Sequence, residues 1–80
     1  MEEFTQKELE ARKELMFFVK LSPLRDNFSA LLYLLISKSD PQNKYKIEKA
    51  YPEEVAAWNE WQQSKDENEL FMHWQKLVSA

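Results

Sequence analysis

His73 is the only histidine in an 80-residue chain that contains neither cysteine nor glycine. Glu69, one helical turn before it, is the one carboxylate spaced to reach it. A general base also needs a nucleophile to act on and an oriented pocket, and neither accompanies this pair. His73 therefore reads as a half-exposed structural residue on the flank of the last helix. Acidic residues cluster at Glu2-Glu3, Glu53-Glu54 and Asp66/Glu67/Glu69. The last two groups fall at predicted helix N-termini, where carboxylates offset the positive end of the helix dipole without doing chemistry. With one His and no Cys, a transition-metal site would need carboxylates from several helices, and the Glu-x-x-His signature of di-metal bundles is missing. The absence of glycine also removes the turns that P-loops and dinucleotide-binding motifs require. The expectation is a non-enzyme with no catalytic residue, no metal and no cofactor.

Nucleic-acid contact is a different chemistry, and residues 41–50 are its candidate. Gln42 and Asn43 carry amides of the kind that read adenine edges, and Lys44, Lys46 and Lys49 could meet phosphates. Following a short turn from an apolar helix, this segment has the look of the second helix of a helix-turn-helix. Charge argues against it: Asp40 and Glu48 dilute the lysines, the segment has no arginine, and the chain carries a net charge of −3. A nucleic-acid-binding regulator is the alternative reading, and nucleic acid is the disfavoured partner.

Aromatic side chains give the leading one. Three Trp, three Tyr and five Phe are a heavy load for a domain with so little interior, since each ring can bury roughly 150–250 Å². Trp58 and Trp74 are expected in the core. Phe17, Trp61, Met72 and Tyr45 are the expected partner-binding residues, being of the types that form protein-binding hot spots. The function expected is non-enzymatic protein binding, as an adaptor, assembly factor or small inhibitor, through an aromatic-rich surface with acidic surroundings. Small acidic chains of this kind are common among bacteriophage proteins. The partner is an unidentified protein, and a homo-oligomer is left open.

These residues must be held by helices. FSALLYLLI, residues 28–36, is the most apolar stretch and lacks the alternation of a strand, so the fold class expected is all-α. Its architecture is a compact bundle of four to five short helices around a buried central helix at about 26–38. Leu24, Phe28, Leu31, Leu32 and Leu35 form one stripe at 100° per residue and Ala30, Tyr33 and Leu34 face the other way. A helix apolar on two sides needs neighbours on two sides. Leu31 and Leu35 are thus expected to be fully buried.

Thr5, with Glu8 three residues on, predicts a capping box and a helix beginning at Gln6, with Phe4 and Leu9 as its hydrophobic staple. The first half of that helix is mostly charged, Glu8 and Arg12 being spaced for an ion pair, and only its last turns are expected to be deeply buried. Pro23, Pro41 and Pro52 mark three corners, with Asp40 capping the helix at 41. Either Ser64 or Asp66 caps the last helix, whose Leu70, Phe71, Trp74, Leu77 and Val78 share one face.

The whole chain, 1–80, reads as one all-helical domain. No apolar run nears the roughly 18–20 residues of a membrane span, and the charged N-terminus lacks a signal-peptide core. No membrane contact and a cytoplasmic location are expected, the lack of cysteine fitting a reducing compartment. Residues 1–20 hold four basic and five acidic groups, residues 21–51 five and three, and residues 52–80 two and six, so acidity concentrates in the last third.

Overall fold

The computed structural model describes residues 4–21 and 28–79 as five α-helices: α1 (Gln6–Leu21), α2 (Phe28–Lys38), α3 (Pro41–Ala50), α4 (Pro52–Gln63) and α5 (Glu67–Ser79). The expected all-α bundle is present. Pro23, Leu24, the start of the helix expected at 26, and Glu2-Glu3 lie outside the described residues.

Local chemistry sets the helix ends. The Glu8 amide donates to Thr5 Oγ1 at 3.2 Å and the Thr5 amide to Glu8 Oε1 at 2.8 Å, closing the reciprocal box. Phe4 is half-buried, with the Arg12 guanidinium 4.0 Å above its ring. At the end of α2, the Ser37 and Ser39 hydroxyls donate to the carbonyls of Leu34 and Leu35 at 2.6 and 2.7 Å. Asp40 then caps α3 through the Asn43 amide at 2.8 Å, with Pro41 at the first helical position. Of the two candidates at the last turn, Asp66 caps α5, accepting from the Glu69 amide at 3.2 Å, while Ser64 closes α4. Tyr51 and Ser64 end α3 and α4 with φ of −134° and −70°. A chain without glycine thus ends these helices without a left-handed residue.

The hub of the bundle is α1, which packs against α2, α4 and α5, while α3 packs mainly on α4. This corrects the expectation of a central α2, and also the expectation that only the last turns of α1 are buried. Ala11, Arg12, Leu15 and Met16 are all buried. Ala11 has only a methyl group to hold a neighbour off, so Tyr33 comes close enough for its hydroxyl to donate to the Ala11 carbonyl at 2.6 Å. Around this seam gather Ile36 of α2, Val55, Ala57 and Trp58 of α4, and Phe71 and Trp74 of α5. Tyr33 stacks on Trp58 with ring centres 6.4 Å apart, and Phe71 on Trp74 at 5.6 Å. Burial pushes the Tyr33 phenol well above its ordinary pKa, and the Glu54 charge adds to the effect.

Arg12, spaced for an ion pair with Glu8, finds other partners. It is 3% exposed. Its guanidinium donates to the Glu8 carbonyl rather than the Glu8 carboxylate, at 3.1 Å, and to Glu60 Oε2 at 2.7 Å. Glu60 Oε1 in turn accepts from Trp74 Nε1 at 2.9 Å. One carboxylate therefore ties α1, α4 and α5 together.

Candidate protein-binding surfaces

The core takes one side of α2 and leaves the other bare. Ala30, Leu32, Tyr33 and Ile36 are buried, whereas Phe28 is 63% exposed, Leu31 54%, Leu34 42% and Leu35 54%. The expected burial of Leu31 and Leu35 is overturned. The physical reason is that this helix is apolar all round, so periodicity could decide neither which side meets α1 nor where the sides divide: Leu32, expected beside Leu31, is buried, and Leu34, expected opposite it, is exposed. Tyr33 decides it, because its ring stacks on Trp58 and its hydroxyl finds the Ala11 carbonyl. Phe28, Leu31 and Leu35 follow i, i+3, i+7 spacing with Leu34 beside them, giving one continuous stripe along the helix. At its start Phe28 lies against Tyr51, ring centres 5.7 Å apart. The stripe carries no acidic residue, and Lys38 in the last turn is the only charged residue of α2. These four side chains are the surface residues that sequence reasoning placed in the core. The signal was the second apolar face, read as a demand for a neighbour within the chain.

The residues expected to bind a partner do not form one surface. Phe17 is exposed and lines an open groove between α1 and α5 with Lys13, Met16, Lys20, Gln75 and Val78. Exposed Met72 adjoins it across Gln75 and Ser79, beside Lys76. The charged side chains lining this region are lysines. The groove holds about 190 Å³, below the roughly 300–1,000 Å³ usual for small-molecule sites.

Trp61 lies elsewhere and is only half-exposed. Its ring meets Trp58 edge-on at 5.0 Å, and its Nε1 donates to Glu67 Oε1 at 2.9 Å. The carboxylate holds the indole in place. Tyr45 is exposed on α3 under Lys49, whose Nζ stands 4.7 Å from the ring centre. As expected, Trp58 and Trp74 are core.

Of the alternative nucleic-acid contacts, Gln42, Asn43, Lys46 and Lys49 are exposed and Lys44 is half-buried. Helix-turn-helix readers brace the second helix on the first, whereas α3 rests mainly on α4, whose first turn carries Glu53 and Glu54. His73 is exposed and borders an open depression of about 340 Å³ at the α4–α5 corner, with Asp66 and Glu69. Among the described residues no group of three or more acidic or histidine side chains converges to hold a metal ion. No helix among them is long and apolar enough to cross a membrane.

Among known proteins, no family model matches the chain, and no curated protein and no solved structure is significantly similar to it.

Proposed function

We propose that this chain is a non-enzymatic protein-binding protein, of adaptor, assembly-factor or inhibitor type, whose docking face is the bare side of α2. The observation that carries the reading is the row Phe28, Leu31, Leu34 and Leu35, four large apolar side chains left in water on one face of one helix. Scattered exposed leucines are ordinary, but a contiguous apolar face is the usual mark of an interaction site. Aliphatic side chains have no lone pair or proton to offer a reaction, so the face is suited to burial against another protein rather than to chemistry. The groove at Phe17 and Met72, rimmed by Lys13, Lys20 and Lys76, is a smaller second contact suited to an acidic segment.

A photo-reactive amino acid at position 35, activated in the source cell, tests the reading. Covalent capture of a protein at this position, with none from the same probe at exposed Gln62 of α4, is the expected result. The reading fails if position 35 captures no protein. It also fails if a Lys44/Lys46/Lys49 triple-alanine variant alone loses partner binding and the wild type binds DNA or RNA with steep salt dependence.

A further inference from the structure

We infer that the occupant of the α2 face is a second copy of this chain, docked through an antiparallel α2–α2 pair; the inference rests on the docking face proposed above. Three observations favour a second copy over an unrelated protein.

Size is the first. The exposed fractions of Phe28, Leu31, Leu34 and Leu35 amount to roughly 400 Å² of apolar surface, the size of the largest patch on a monomer, which is often functional. A stable interface takes about 800 Å² from each partner, with a more apolar centre and a polar rim. The stripe supplies that centre, and the helix flanks with Tyr51 and Lys38 supply the rim.

Self-complementarity is the second. A two-fold contact requires each patch to match itself, and this one does when the helices run in opposite directions. With the axis crossing α2 at the level of residue 33, next to the Leu34 side chain, Leu31 of one copy meets Leu35 of the other, and Phe28 meets Lys38. The 11 residues of α2 then overlap from end to end. Phe28, Leu31, Leu35 and Lys38 occupy alternating a and d positions of a heptad, the seam along which two helices pack in either direction.

Charge is the third. Lys38 is the only charged residue of α2 and sits in its last turn. A parallel pair would set the two Lys38 ammonium groups and the two helix C-termini side by side. In the antiparallel pair they lie at opposite ends, about 15 Å apart along the axis. Each lysine stem then covers the other copy's Phe28 and its ammonium group faces that ring.

The test uses the full chain. Sedimentation equilibrium from about 5 to about 500 μM should show a reversible monomer–dimer exchange, a range that brackets micromolar affinity. Leu34→Glu places two carboxylates beside the axis and should raise the dissociation constant about 100-fold or more while leaving the helical circular dichroism unchanged. A wild type that stays monomeric throughout, or a dimer that persists in Leu34→Glu, overturns the inference.

Direction is read from disulfides, since the chain has no cysteine of its own. Mixed Phe28→Cys and Lys38→Cys proteins, which keep Leu31, Leu34 and Leu35, should oxidise to the mixed disulfide and not to either symmetric one. Symmetric disulfides alone indicate a parallel pair and overturn it. The photo-probe at position 35 separates this inference from the reading beneath it. Capture of a protein other than this chain overturns the second copy and leaves the docking face standing, whereas capture of nothing overturns both.

Discussion

Arg12 and Glu60, 48 residues apart in sequence, meet at 2.7 Å inside the bundle, and the carboxylate that receives the guanidinium also receives the Trp74 indole. Arg12 is buried while the Glu60 side chain is 30% exposed, so the cost of breaking the pair falls on the arginine. Glu60→Ala leaves a buried cation without its counter-ion and a buried indole N–H without its acceptor, and should destabilise the fold by about 3 kcal/mol or more. Arg12 Nε already lacks a hydrogen-bond partner. The double variant Arg12→Met/Glu60→Gln, which keeps an acceptor for Trp74, should therefore be more stable than Glu60→Ala. Urea denaturation of the three proteins decides the matter; equal midpoints for Glu60→Ala and wild type would refute it.

Ile36 and Leu35 are sequence neighbours on opposite sides of α2, one buried and one in water. Ile36→Ala should cost about 2–5 kcal/mol. Leu35→Ala, measured at a concentration where the chain is monomeric, should stay within about 0.5 kcal/mol of wild type. The reverse order would return Leu35 to the core.

Tyr33→Phe removes the hydroxyl bonded to the Ala11 carbonyl and should cost about 1 kcal/mol at neutral pH. The folded state holds the phenol proton more tightly than the unfolded state does. Its contribution to stability is therefore complete below about pH 10, the ordinary phenol value, and declines as the pH rises beyond it. Tyr33→Phe should lose less stability than wild type between about pH 10 and pH 11, a difference that thermal melts at matched pH would reveal.

Thr5→Ala should cost about 1 kcal/mol by opening the N-terminal box. The Thr5 amide, and then its hydroxyl, hold the Glu8 carboxyl below its ordinary pKa. Its stabilising effect is thus present at neutral pH and fades in acid, as the pH falls through the lowered value. An NMR titration should find Glu8 ionising at lower pH in wild type than in Thr5→Ala, which keeps the residue-5 amide; coincident curves would exclude the Thr5 hydroxyl as a cause.

Caps were legible in the sequence because they are local. Thr5, Asp40 and Asp66 each act on an amide three residues away, and that distance is written in the chain. The burial of Trp58 and Trp74 was legible for a similar reason, since large rings rarely find a better place in a small helical protein. The face of α2 was not. Leu31 and Tyr33 are equally good core residues by type, and the choice depends on an Ala11 carbonyl and a Trp58 ring contributed by other helices. Arg12 was hidden by its charge, which periodicity assigns to solvent until Phe4, Glu60 and Trp74 are seen around it. The binding surface was misplaced for the same reason: choosing the residues left outside required knowing which ones the core had taken.

Because α1 is the hub, its contacts must wait for most of the chain to be synthesised. Arg12 leaves the ribosome 48 residues ahead of Glu60, an interval of roughly 2–10 s at ordinary elongation rates. For that time the faces of α1 that α4 and α5 will cover have nothing to close on, and α2 shows apolar side chains on both of its sides. The nascent protein is thus stickier than the finished one. A trigger-factor-like holdase should bind ribosome-attached chains that stop before α4 and release them once α5 has emerged.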